Sequence, residues 1–246
     1  MKQLNYLLVV LAATLYLGCT PPERVDNGGN NSDDIENNGG SENNGGGGGN
    51  DGNDDNNGGA ENTSKPTTSA PYEVGDYYNE SGKEGIVIEV DQDGNNGKII
   101  SLRQSPTPLQ WASDVAEQNR LVGTIYMSGG VENLAKIVKI PNWKEKYPAF
   151  KWCAELGEGW YLPSKEELKV FTLNTAIHDA VNRTLIARGG TKLYDKGESV
   201  WYWSSTECNY KRSSGEFCAW YVYMHSGDTY DGGKGSLDHV RAVSAF

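Results

Sequence analysis

Between Thr20 and about Ala70 the chain offers almost nothing that can be buried. The text is Gly, Asn, Asp, Glu and Ser, as in the run from Asn43 to Gly49, with hardly a Val, Ile, Leu or aromatic residue. A segment that cannot bury apolar area cannot offset the entropy of ordering its backbone. Residues 19–70 therefore read as a disordered tether, a flexible coil with a root-mean-square reach of about 40 Å. No nonapeptide period and no Gly-Lys-Ser/Thr after a strand is present, so its Gly and Asp content indicates neither a calcium repeat nor a phosphate loop. All seven Trp, all four Phe and twelve of the fourteen Tyr fall after it, within 71–246. That is material for one core of ordinary size.

The acidity belongs mostly to the tether. Residues 20–70 hold ten Asp/Glu against Arg24 and Lys65, a net of −8, and Lys2 adds one positive charge, so 71–246 carries only −4 of the total −11. The domain lacks the basic stripe that nucleic-acid binding requires. Ahead of the tether, Lys2 precedes an apolar run from Leu7 to Leu17. The run is too short for a permanent span, which needs roughly 20 apolar residues. Residues 1–18 are read as a cleaved secretory signal. Leu15-Tyr16-Leu17-Gly18-Cys19 resembles the lipobox of bacterial lipoproteins, with bulky Tyr16 as its departure. The resemblance implies a lipid on Cys19, and several acyl chains on one residue hold a protein on a membrane durably.

Within 71–246 the order is strands, helices, strands. Tyr72 to Tyr78, Gly85 to Val90 and Lys98 to Leu102 are β-rich, with turn residues from Asp93 to Gly97. Helical periodicity is expected over 109–118, 130–139 and 149–156. Ser164 with Glu167 three residues on makes a capping box for a further helix, and another spans 176–187 before Gly189-Gly190. The tail returns to strands over 200–205, 217–225 and 239–246.

The residues that carry a resemblance are Trp152-Cys153-Ala154, Gly159-Trp160-Tyr161-Leu162-Pro163-Ser164-Lys165-Glu166-Glu167-Leu168, Tyr202-Trp203-Ser204-Ser205-Thr206-Glu207, Ala219-Trp220-Tyr221-Val222 and Val240-Arg241-Ala242-Val243, in that order. From about Gln110 onward the chain resembles the DUF1566 family, the C-terminal domain of a collagen-like adhesin, and is similar to the paralogous domains of Fibrobacter and of many Bacteroidetes lipoproteins. The resemblance implies an α+β, C-type-lectin-like fold, in which helices pack on a twisted, mainly antiparallel sheet. It implies no settled activity; some members are implicated in adhesion. Relatives often carry a Cys in the last strand that pairs with the helix Cys; here that position is Ala242, so that bridge cannot form.

Three cysteines remain in the domain, so at most one internal bridge forms. Cys208–Cys218 would staple the connection between two strands; Cys153–Cys218 competes with it. No recognisable motif pairs a cysteine with His178, His225 or His239. Glu155, Glu166 and Glu167 are acid/base candidates only in type, because capping and the helix dipole account for Glu166 and Glu167. Asp91 to Asn95 fails the EF-hand template, with Asn96 where Gly is needed and Leu102 where Glu is needed. No metal or cofactor is expected.

Trp201, Tyr202, Trp203, Trp220, Tyr221 and Tyr223 alternate in strands, and any set that faces outward is a stacking platform for sugar or peptide. The segment Ser226 to Gly235 reads as a loop, with Asp228, Tyr230 and Asp231 as its ligand-binding residues. The expectation is an outer-membrane lipoprotein, at the cell surface or else on the periplasmic face. Its lectin-like domain binds a glycan or protein and performs no catalysis. The competing readings are an envelope carbohydrate-active enzyme and a structural subunit of a surface assembly.

Overall fold

A computed structural model describes residues 69–246. The expected signal peptide, Cys19 and all but the last two residues of the expected tether lie outside the described residues. The chain runs β1 (Tyr77–Glu80), β2 (Lys83–Val90), β3 (Gly97–Gln104), β4 (Leu109–Gln110), α1 (Val115–Gln118), α2 (Gly130–Ile137), α3 (Trp143–Lys146), α4 (Pro148–Ala154), β5 (Trp160–Tyr161), α5 (Lys165–Leu173), α6 (Thr175–Ala187), β6 (Trp201–Lys211), β7 (Phe217–Tyr223), β8 (Asp228–Gly233), β9 (Leu237–Asp238) and β10 (Arg241–Ala245). The fold is α+β with antiparallel sheets: a five-stranded sheet in the order β1-β2-β3-β10-β5, a three-stranded sheet β6-β7-β8, and the short pair β4-β9.

The apolar text of β2 explains its place. Ile86, Val87 and Ile88 are all buried, so the strand is covered on both faces. Alternation sends Ile86, Ile88 and Ile100 into one cluster and Val87 and Ile99 into another. The first contains Leu168, Phe171, Val181 and Leu185 from α5 and α6. In the second, Trp111 meets Tyr147 and Phe150 edge-on, with ring centroids 5.6 and 5.0 Å apart. Both clusters continue onto the three-stranded sheet, through Tyr202 and Val222 on one side and Trp203 and Ala219 on the other. Each such side chain stabilises the fold by about 1.5–3 kcal/mol.

The expected hairpin after β2 is present. The Asp91 carboxylate accepts from the Asn95 amide at 3.0 Å and the Asn96 side chain at 2.7 Å, which closes the turn into β3 and holds its own pKa below the usual value. The capping box at Ser164 and Glu167 is also formed, and α6 ends before Gly189. The expected helix over 109–118 is not. Leu109 and Gln110 pair with Asp238 and Leu237, and only Val115–Gln118 is helical. Trp111 and Ala112 are fully buried there, whereas Val115 is 69% exposed. Apolar spacing that looked like one helical stripe thus serves a strand, a turn and a surface. The Asp114 carboxylate caps the single turn by accepting from the Ala116 amide at 2.8 Å. Near the N-terminus, Gly75 sits at φ +96° with its ideal Cβ position only 3.0 Å from Ala180, and the strand expected from Tyr72 begins only at Tyr77, beyond that glycine.

Candidate binding site

In the three-stranded sheet Trp201 lies opposite Tyr223, Trp203 opposite Tyr221, Tyr221 opposite Tyr230 and Tyr223 opposite Asp228. Residues opposite one another share a face, so Trp201, Trp203, Tyr221, Tyr223, Asp228 and Tyr230 line one side of the sheet. Trp203 is fully buried beneath Tyr221, with centroids 5.4 Å apart, whereas the others reach solvent. Trp201 stacks on Tyr223 at 3.6 Å and 14°, and meets Tyr221 at 4.4 Å and Tyr230 at 5.8 Å edge-on. Four partly exposed aromatic rings on one sheet face form a pre-built apolar platform. Its rim is polar: Ser199 bonds the Tyr223 hydroxyl at 3.1 Å, and the Tyr230 hydroxyl donates to Asp228 at 3.4 Å.

The expected ligand loop over 226–235 needs correction. Asp228–Gly233 is strand β8, hydrogen-bonded along β7 from Tyr223 to Cys218, and the loop proper is the turn from Met224 to Gly227. Short Asp, Thr and Gly residues concealed a strand whose pairing partner is the strongly β-forming β7. Alternation then divides the three expected ligand residues. Asp228 and Tyr230 stand on the aromatic face. Asp231 points to the opposite face, where Arg212 sits 3.3 Å from its carboxylate.

Two further features shape the platform and went unnoticed in the sequence. Gly232 lies under Tyr221, and a Cβ there would come within 2.1 Å of the ring. Asp238, on β9, is 8% exposed, and its Oδ2 has no hydrogen-bond partner among the described residues. Burial pushes its carboxyl up to about 6, and its charge raises the Tyr221 phenol in turn, after burial itself. An uncompensated buried carboxylate beside a platform ring marks a functional-site candidate.

A second buried carboxylate, Glu207 on β6, is fully engaged. It accepts from the amides of Val122, Gly123 and Thr124 at 2.8–3.1 Å and from the Lys234 ammonium. Lys234 also donates to the Arg120 carbonyl at 2.7 Å and lies 4.6 Å from the Trp111 ring centroid. Asn133 and Thr206 hold Tyr126 further along. The irregular segment 119–129 is thereby pinned, yet it leaves Leu121, Ile125, Tyr126 and Met127 at least two-fifths exposed.

No family model and no curated protein matches this chain.

The remaining candidates are dispersed. His178 bonds the Tyr194 carbonyl, His225 the Gly197 carbonyl and His239 the Tyr194 hydroxyl. Glu166 pairs with Lys169, and Glu167 serves the cap while also accepting from Gly130 and Tyr161. Arg241 is fully buried, donating to the backbone carbonyls of Ser101 and Thr191 and to the Gln104 side-chain oxygen, and burial lowers its pKa. Among the described residues all three cysteines are free thiols. Cys153 packs in the same cluster as Ala242, which includes neither Cys208 nor Cys218. Cys208 and Cys218 come together with Asp231, one ligand atom of each lying within 4.8 Å of the others, the single such group of metal-type donors among the described residues.

Proposed function

We propose that this chain is an exported lipoprotein anchored through Cys19 to the outer membrane, whose C-type-lectin-like domain, a divergent DUF1566 member, binds a glycan on the aromatic face of β6–β8. The observation that carries this reading is the cluster of Trp201, Tyr221, Tyr223 and Tyr230, partly exposed around a stacked pair. A sugar ring presents an apolar face of C–H groups and an equator of hydroxyls. The rings receive the first, and Asp228 with the serine and tyrosine hydroxyls at the rim receives the second. The carboxylates at and beside the platform favour neutral or amino sugars over acidic ones.

Binding rather than catalysis is supported by the occupations of the acid/base candidates that the sequence offered. The histidines serve backbone and tyrosine contacts, and Glu166 and Glu167 are committed to an ion pair and a cap. Affinity electrophoresis of the full chain through gels carrying β-glucan, xylan or galactomannan tests the reading. At least one polymer retards the chain, and Trp201→Ala weakens the retardation about tenfold, ~1.4 kcal/mol. Equal mobility of both proteins in every gel would count against it.

A protein partner is the second reading, favoured by the pinned segment that exposes Leu121, Ile125, Tyr126 and Met127. Rigid apolar side chains of this kind are ready for burial without a large ordering cost. Under that reading, charge substitutions at Ile125 and Met127 abolish binding and Trp201→Ala does not.

A further inference from the structure

Cys208 and Cys218 stand on adjacent strands one step beyond Glu207 and Ala219, which are directly opposite. Regular pairing breaks there, since the next opposed residues are Lys211 and Phe217, and within that irregularity the two thiols come together, with the sulfurs within 4.8 Å and both side chains buried. Each cysteine adjoins a member of the opposed pair Glu207–Ala219, and a disulfide bridges Cα atoms up to about 7 Å apart, so neighbouring positions on paired strands lie within its reach. We propose that Cys208 and Cys218 form a cross-strand disulfide that locks the register of the aromatic sheet, with Cys153 left as a buried thiol.

The position explains what a lock would do. The β6–β7 pairing shifts register twice, between Trp203 and Glu207 and again between Glu207 and Lys211. The cysteines lie between the second shift's bounds, at the weakest stretch of the ladder. One slipped residue would send Trp201 and Tyr223 to the other face and dismantle the platform. Asp231 adds a carboxylate to the thiol pair, but that carboxylate already holds Arg212 at 3.3 Å, which disfavours a bound cation there. Burial raises both thiols, which keeps the thiolate scarce and slows closure by exchange with a disulfide oxidant. In closure the two S–H bonds are lost and one S–S bond forms. Two electrons and two protons pass to the oxidant's disulfide, which becomes a dithiol.

The supply of oxidant rests on the export reading, whereas the pairing rests on geometry, so the test separates them. The purified full chain is equilibrated in an oxidising glutathione buffer, alkylated under denaturing conditions and mapped by mass spectrometry. The expected result is a linked Cys208–Cys218 peptide pair with alkyl label on Cys153. Label on all three cysteines of the domain, a link through Cys153, or retained zinc would overturn the pairing. Reductant lowers the denaturation midpoint of the native chain and leaves that of the Cys208→Ser/Cys218→Ser double variant unchanged; equal sensitivity in both also overturns it. Recovery of unlipidated chain from the cytoplasm bears on the export reading alone.

Discussion

Two carboxylates on the late strands are withdrawn from water, Glu207 at 3% exposure and Asp238 at 8%, and their surroundings are opposite. Glu207 receives three backbone amides and an ammonium. Asp238 keeps an oxygen without a partner among the described residues, and burial alone drives its carboxyl to about 6. The first arrangement is architecture: it fastens segment 119–129 to the sheet and pairs both of the charged groups it buries. The second costs stability and persists beside Tyr221, at the foot of the aromatic face. Strain of that kind is tolerated where a site needs it.

The largest effect follows from breaking the satisfied node. Glu207→Ala leaves the Lys234 ammonium buried without its carboxylate and three amides unpaired, and lowers the unfolding free energy by about 3–5 kcal/mol in urea titration. Lys234→Met costs less, because the three amides still hold the Glu207 carboxylate. Equal costs would mean that the ion pair, rather than the amide cradle, sets the architecture.

Asp238 sharpens the contrast because its substitution acts in the opposite direction. Its folded pKa lies above the unfolded value of about 3.9, so the folded state binds the extra proton between those values. Stability therefore falls as pH rises from about 4 through 6 and stays at the lower level above. Asp238→Asn removes this dependence and raises stability at pH 8 by up to about 3 kcal/mol, read from urea midpoints across pH. A loss of stability at pH 8 would show that Asp238 has a partner in solution.

Gly232→Ala touches the platform from below. A Cβ 2.1 Å from the Tyr221 ring forces that ring to move, at a cost of about 1–3 kcal/mol, and weakens glycan retention with it. Smallest in stability is Trp201→Ala, about 1 kcal/mol, since the ring is only half-buried, though it removes the most binding.

How much of this could be read in the sequence depended on the range of the interactions. The Ser164–Glu167 box, the Asp91 turn and α2 are fixed by residues within a few positions of one another, and all three formed as expected. The alternation of Trp201, Trp203, Tyr221 and Tyr223 was visible, but which set faced outward was decided by the cluster around Trp111 and by the helices behind Tyr202. β8 was hidden because its pairing with β7 outweighs weak local propensity. Asp238 carried no signal, and Glu207 stood only as the end of a motif without a role, since the groups that distinguish them, Val122 to Thr124, Lys234 and Leu109, lie tens of residues away.

The central claim is tested most directly by following the indole N–H signals of the full chain by NMR while cello- and xylo-oligosaccharides are added. The Trp111 and Trp203 indoles are bound to the carbonyls of Ser204 and Leu109, both at 3.0 Å, and serve as internal references. The account predicts that the Trp201 signal moves in a saturable way while those two stay in place. Saturable shifts confined to residues 121–127, with Trp201 silent, would contradict it.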